Sequence, residues 1–320
     1  MLILNNEDVG KLLTLGQVIN AVEEAIKAYE NNLALVPKRM HLDNGKNTLL
    51  CMPSWGTDTF GTKLVAVAPH NASKNLPVTN GAMLLNDGNT GIPLALINAS
   101  KLTALRTGAV GAIGVKHLTS ENERSIGLIG CGVQGIHQII FSCLVRPIKT
   151  VFFLQRPSTK AEDLISFVNV HHPAIKLIPC RTPEEILERT NIVIAATTSA
   201  TPVLPNKESL LKGKHFISIG SYKPGMQELP DAVYKLSGEL CIDSEFARLE
   251  TGDIINPIRL GFIDEKNVYT IGKLVMGQRK SDVTKTNVFK SSGMALFDLY
   301  LAEAMYNEAV RRKMGTEVQF

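Results

Sequence analysis

The 320-residue chain is predicted to be α/β, with a doubly wound parallel sheet of the Rossmann type joined to a second, α+β domain. Three observations predict this. From Ser125 onward, short apolar strands alternate with helical segments, the pattern of parallel βαβ units. The first strand runs directly into Gly130-Cys131-Gly132-Val133-Gln134-Gly135, a Gly-x-Gly-x-x-Gly turn that opens a helix. At ~150 residues per domain the length suits two cores, and 44% hydrophobic with 20% charged residues is an ordinary globular composition. The expected domains are residues 1–119 with a returning 293–320, and residues 120–292.

Leu2–Leu4 reads as a short strand at the start of the chain. Asn5 or Asn6 caps a first short helix. Thr14 caps a longer helix whose apolar residues Val18, Ile19, Val22, Ala25, Ile26 and Tyr29 share a face. Strands are expected at 48–52, 61–68, 81–86 and Pro93–Asn98. Asn86-Asp87-Gly88-Asn89 is a hairpin turn in which Asp87 serves turn chemistry. Residues 102–117 form a helix dense in Gly and Ala, which lets it approach another backbone or a ligand closely. The polar run Thr119-Ser120-Glu121-Asn122-Glu123-Arg124 marks the domain boundary. Strands then fall at Ser125–Ile129, Thr150–Leu154, 192–196, 214–219, Leu240–Ile242 and Val268–Thr270, with a first helix at 136–145. Asp243 and Glu245 are expected to cap a helix after the fifth or sixth strand. One long helix at 293–313 closes the chain and is placed to return to the first domain.

Composition excludes several classes. The net charge is +4 and the basic residues are scattered, so no nucleic-acid footprint is present. Arg311-Arg312-Lys313 reads as a helix end. The cysteines at 51, 131, 143, 180 and 241 form no C-x-x-C pair, which argues against a disulfide framework and for a reducing compartment. No signal peptide and no membrane span are expected, so the chain is read as soluble and cytoplasmic. No His/Cys/Asp set has metal-ligand spacing, and no metal is expected. A serine-hydrolase elbow is absent.

The glycine turn is a dinucleotide signature. Gly130 makes the tight turn, Gly132 admits the phosphates, and Gly135 lets the helix pack on the strand. Val133 and Gln134 complete the anion-binding start of the helix. An NAD site usually carries an acidic residue ~20 residues on, at the end of the second strand. Here no acid occurs from Ser125 through Ala161. The strand ends in Leu154-Gln155-Arg156-Pro157-Ser158-Thr159-Lys160, where Arg156, Ser158 and Lys160 suit a 2′-phosphate. NADPH is the favoured cofactor. The alternative is NADH, with Arg156 and Lys160 as solvated charges beside a permissive site.

The first domain places Arg39, Lys63 and Arg106 in apolar or glycine-rich settings. Each alone reads as a snorkelling surface residue. Together, beside a hydride-transfer cofactor, they suggest a pocket for a carboxylate, because buried cations need an anion. His70 is a weaker candidate for the same pocket.

Several segments, taken in order, carry a resemblance. They are Pro37-Lys38-Arg39, Gly61-Thr62-Lys63, residues 80–93, Leu102-Thr103-Ala104-Leu105-Arg106-Thr107, the glycine turn, Pro224-Gly225-Met226-Gln227-Glu228-Leu229 and Lys290-Ser291-Ser292-Gly293. Along nearly its whole length the chain resembles the ornithine cyclodeaminase/μ-crystallin family, and within it the reductases of cyclic ketimines such as Δ1-pyrroline-2-carboxylate. The resemblance implies a homodimer formed through the first domain and an active site between domains. It implies that Arg39, Lys63 and Arg106 hold the substrate carboxylate and orient the imine. Thr107 and Thr197 would lie along the cofactor, Ser291 near the nicotinamide, and Ser292 near the substrate.

One departure matters. The family's cyclodeaminases carry Asp in a Gly-x-Asp-x-Pro-Gly loop, where a carboxylate serves as a base. Here the loop reads Gly220-Ser221-Tyr222-Lys223-Pro224-Gly225. A phenol is a poor base at neutral pH, so Tyr222 is read as a hydrogen-bond donor or aromatic wall facing substrate or cofactor. That substitution counts against deamination and less against reduction of a preformed imine. The expected activity is NAD(P)H-dependent reduction of a small cyclic imino acid to L-proline or L-pipecolate. The alternatives are a cyclodeaminase or amino-acid dehydrogenase, and a crystallin-like cofactor- or small-ligand-binding protein.

Overall fold

The computed structural model describes residues 1–74, 76–156 and 161–319. The chain divides into two compact units, Met1–Arg106 with Met294–Phe320, and Thr107–Gly293. The division falls inside a helix, upstream of the polar run where the sequence suggests it. Chain order begins β1 (Leu2–Leu4), α1 (Asn6–Leu12), α2 (Leu15–Glu30), β2 (Met40–Asp43), β3 (Thr48–Trp55), β4 (Thr59–Val67), β5 (Thr79–Asp87), β6 (Pro93–Asn98) and α3 (Ala99–Leu118). It continues β7 (Ser125–Ile129), α4 (Val133–Val145), β8 (Thr150–Leu154), α5 (Ala161–His171), β9 (Lys176–Cys180), α6 (Pro183–Leu187), β10 (Ile192–Ala195), α7 (Glu208–Leu211), β11 (His215–Ser218) and α8 (Asp231–Ser237). β12 (Leu240–Ile242), α9 (Gly252–Arg259), β13 (Val268–Thr270), α10 (Ile271–Val275), β14 (Asn287–Lys290), α11 (Ala295–Arg312) and β15 (Thr316–Glu317) complete it. Among the described residues no helix is long and apolar enough to cross a membrane.

In the first unit a seven-stranded sheet of described residues runs β15-β1-β6-β5-β4-β3-β2. The helices before it start on capping boxes. The Asn5 side chain accepts from Glu7 and Asp8 while Asp8 reaches back to Asn5, and Thr14 pairs with Gln17 in the same way. α2 buries Val18, Ile19, Val22, Ala25 and Ile26, the expected apolar face. β3 continues through Pro53 to Trp55, past the expected end at 52, and alternates buried with more exposed residues throughout. β5 and β6 form the expected antiparallel hairpin. Asp87 Oδ1 there accepts from the Asn89 and Thr90 amides and the Thr90 hydroxyl, which is Asx-turn chemistry. β2 was not legible in the sequence, because all four of its residues are exposed and no alternation marks it. α11 packs on β3, β4 and α2 and groups with this unit.

The second unit holds an eight-stranded sheet of described residues in the order β13-β12-β14-β11-β10-β7-β8-β9, with every pairing parallel. β7 lies between β8 and β10. The chain winds outward from it in both directions, which places a topological switch point at the carboxyl ends of β7 and β10. β9 and β14 are additions to the sequence reading, and β14 is central and fully buried. Its Asn287 and Lys290 broke the apolar run that normally announces a buried strand. The glycines of α3 do make a close approach. A Cβ on Gly111 would collide with the Gln138 side chain of α4, and one on Gly114 with the Phe289 ring of β14.

Candidate active-site residues on the two units

On the second unit, the turn after β7 has the geometry of a phosphate cradle. Gly130 has φ +104°, and a Cβ there would strike the Ala196 carbonyl just past β10. A Cβ on Gly135 would strike the Gly130 carbonyl. Gly132 is the N-cap of α4, and nothing lies within 4 Å of where its Cβ would stand. The bond from the Ile136 amide to the Gly132 carbonyl opens the helical ladder. The amides of Val133, Gln134 and Gly135 therefore precede it and are left to an outside acceptor. The Gln134 Oε1 is buried with no hydrogen-bond partner among the described residues. These features fit a dinucleotide pyrophosphate. Arg156 is exposed just past β8, while Ser158 and Lys160 lie outside the described residues.

The loops beyond β10 and β11 are tied down by one buried carboxylate. Glu228 Oε1 accepts from the Thr197 amide at 2.7 Å and the Thr197 hydroxyl at 2.8 Å. Its Oε2 accepts from Ser218 Oγ at 3.0 Å and from the amides of Gly220 at 2.6 Å and Ser221 at 3.3 Å. Asp253, also buried, accepts in turn from the amides of Glu228 and Leu229. Thr197 and Tyr222 are thus set on braced loops, Tyr222 being half-buried with the Lys223 ammonium 5.7 Å from its ring centroid. Thr107 is buried, and its carbonyl accepts from Gln138 Nε2 at 2.7 Å.

The segment after β14 is held by two more acids. Asp243 Oδ2 accepts from Ser291 Oγ at 2.7 Å and from the Gly293 amide at 2.6 Å. Ser292 Oγ donates to Glu250 at 2.8 Å. Asp243 therefore does not cap a helix as the sequence suggested. Ser244 is the N-cap of the next short 3-10 turn, and Glu245 pairs there with Arg248. Glu228 and Asp243 brace these loops, a role the sequence did not suggest: it offered Glu228 only as part of the 224–229 segment and Asp243 only as a cap. Their signal was an acid inside a run of otherwise small, apolar or loop-forming residues.

On the first unit, β4 turns alternate residues inward, and Lys63 is on the inward side between Met52 of β3 and Met83 of β5. It is 1% exposed. Its Nζ donates to Asp298 Oδ2 at 2.7 Å and to Thr103 Oγ1 at 3.4 Å. Arg106, on α3 and buried, donates through Nε to Asp298 Oδ1 at 3.2 Å. Arg39 is buried before β2, and its charge also acts on Lys63. Desolvation dominates the Lys63 ammonium. Burial pushes its pKa down to about 7, Asp298 opposes that fall, and Arg106 and Arg39 add to it. The structure thus gathers the three cations read from the sequence. His70 is exposed. Asp298 itself went unread, although an acid among Leu296, Phe297 and Leu299 on the buried stripe of α11 was its signal.

Residues 1–313 match the ornithine cyclodeaminase/mu-crystallin family, and the chain belongs to that family. The Delta(1)-pyrroline-2-carboxylate reductase of Bacillus cereus is 33% identical over 100% of both chains. The solved Thermococcus litoralis Delta(1)-pyrroline-2-carboxylate reductase in complex with NADH and L-proline is 32% identical, with a TM-score of 0.93 over 99% of this chain and 100% of that one. An archaeal alanine dehydrogenase dimer with bound NAD is 30% identical, with a TM-score of 0.92 over 100% of this chain and 99% of that one.

Proposed function

We propose that this member of the ornithine cyclodeaminase/mu-crystallin family is an NAD(P)H-dependent reductase of a small cyclic imino acid. Its substrates are Δ1-pyrroline-2-carboxylate, giving L-proline, and the six-membered homologue, giving L-pipecolate. The observation that carries the reading is the buried pair of Lys63 and Arg106 on one carboxylate, with the Arg39 charge also acting on Lys63. Two buried cations share the single Asp298 carboxylate, an arrangement that suits capture of a substrate carboxylate. Full-length similarity to relatives named for this reduction supports it.

When bound, the reduced nicotinamide supplies a hydride, and with it two electrons, to the C=N carbon. Arg39 and Arg106 hold the substrate carboxylate by charge-assisted hydrogen bonds. Lys63 gives a proton to the ring nitrogen, so that the C=N bond becomes CH–NH, and Lys63 is reprotonated from water. A donor whose pKa is about 7 suits that transfer near neutral pH. Tyr222 and Ser292 are assigned to the substrate on the family resemblance. Gly130, Gly132, Val133, Gln134, Thr107, Thr197 and Ser291 hold the dinucleotide. The loop that carries Tyr222 has no carboxylate to act as base, which favours reduction of a preformed imine over cyclodeamination.

The preferred cofactor is NADPH, on the strength of Arg156 and the acid-free stretch after the glycine turn. The enzyme works as a homodimer through the first unit. Met40, Leu42, Leu49 and Leu64 share one sheet face by register and are exposed, an apolar surface of the kind that partners cover. A cytoplasmic site of action is read from the five cysteines, whose spacings form no C-x-x-C pair.

The test is NADPH and NADH oxidation with each imine, with the amino-acid product identified. Absence of turnover with both rings sinks the reading. Ammonia release from ornithine or lysine, or NAD reduction by alanine, would assign a cyclodeaminase or dehydrogenase instead.

A further inference from the structure

We propose that Asp298 is a positioning residue, whose two carboxylate oxygens lock Lys63 and Arg106 into one rigid unit that presents a proton donor and a carboxylate clamp together. The geometry divides the donors cleanly. Oδ2 takes one hydrogen of the Lys63 ammonium at 2.7 Å, and Thr103 Oγ1 accepts another at 3.4 Å. An ammonium has three, so one remains for the imine nitrogen. Oδ1 engages Arg106 through Nε at 3.2 Å. Both terminal nitrogens of the guanidinium are then left for bidentate capture of a carboxylate.

Asp298 can do this because α11 packs its buried stripe onto β3 and β4, with the carboxyl fully enclosed. Lys63 and Arg106 come from different elements, β4 and α3, and no covalent turn sets their separation. A single shared carboxylate does. Among the described residues it is also the one anion seen to act on Lys63, the other charged groups being Arg106 of α3 and Arg39 ahead of β2. Without Asp298 the ammonium would lose its hydrogen-bonded counter-charge while Arg106 and Arg39 still act on it, and would lose its proton more readily.

The assignment rests on the reductase reading for its kinetic arm only. Asp298→Asn keeps the shape and removes the charge. A proton donor works below its pKa, so activity falls on the alkaline side as Lys63 deprotonates. The variant should move that limb of the kcat/KM profile at least ~1 pH unit lower and reduce kcat/KM by about 100-fold, the scale of general-acid catalysis. Asp298→Glu, which restores the charge, should return the limb toward its original place.

A second arm needs no turnover. In ligand-free protein with 13C-labelled lysine, one lysine signal, assigned by its loss in Lys63→Met, should titrate far below the rest. Asp298→Asn should lower that midpoint further. If no imine is reduced by the wild type, the reductase reading fails, and this titration alone decides the Asp298 assignment. A folded Asp298→Asn protein with an unshifted limb and an unshifted lysine midpoint overturns the proposal. So does loss of cooperative melting in both Asp298 variants, which would assign the residue to folding alone.

Discussion

Replacing Lys63 by Met should make stability less dependent on pH, by an amount the structure specifies. Lys63 has an ordinary value of 10.5 in the unfolded chain and about 7 when folded. Between those values the unfolded chain binds more protons than the native one, so this residue makes stability rise with pH. At about pH 7 the native ammonium is half deprotonated while the unfolded one is charged. By about pH 9 the native form is almost wholly neutral and the unfolded form is still charged. Integrating that difference gives about 2 kcal/mol of added stability from Lys63 across the interval. Met has similar bulk and no proton to exchange. The wild-type minus Lys63→Met difference in unfolding free energy should therefore grow by about 2 kcal/mol over that range. The assay is urea unfolding of ligand-free protein at several pH values and fixed protein concentration, since association would otherwise enter. Taking the difference cancels the titrating groups that do not interact with Lys63. Parallel curves for the two proteins would refute the picture of a desolvated, easily deprotonated lysine. A fall in kcat/KM of at least ~100-fold should accompany the change.

Three further outcomes are expected. Glu228→Gln should weaken cofactor binding by ~10-fold or more in a fluorescence titration, because the donors of Thr197, Gly220 and Ser221 lose a charged acceptor worth ~1.5–3 kcal/mol per bond; unchanged affinity would mean the two loops are braced by something else. Arg156→Ala should lower the kcat/KM ratio of NADPH to NADH by ~10-fold, the worth of one charge-assisted contact; an unaltered ratio would argue for the NADH alternative. Leu64→Arg, on the exposed apolar sheet face, should shift the mass measured by light scattering from dimer to monomer without destabilising the monomer by more than ~0.5 kcal/mol; a dimer that persists places the interface elsewhere.

Legibility in the sequence tracked local chemistry. β7, β8, β12 and β13 lie where their apolar runs place them, because a strand buried on both faces must be continuously apolar. The glycine turn was readable for a similar reason, since Gly130 holds φ +104° and Gly135 sits against a carbonyl, and other side chains cannot adopt those positions. β14 broke the rule by ending its buried strand in Lys290, and β2 offered no alternation at all. Asp243 looked like a cap because an acid after a strand usually is one. Its actual partners, Ser291 and Gly293, are distant in sequence, and no local signal names them.

The residue types alone thus determined the dinucleotide half, the parallel winding and the presence of three cations that demand an anion. Sterics and burial act over a few neighbouring residues, and a linear string records them. What had to wait for the fold was the company those cations keep. Asp298 reaches Lys63 and Arg106 across 235 and 192 residues of chain, and the protonation of a buried lysine depends on the field of every charge packed around it. That field exists only when β4, α3 and α11 have come together.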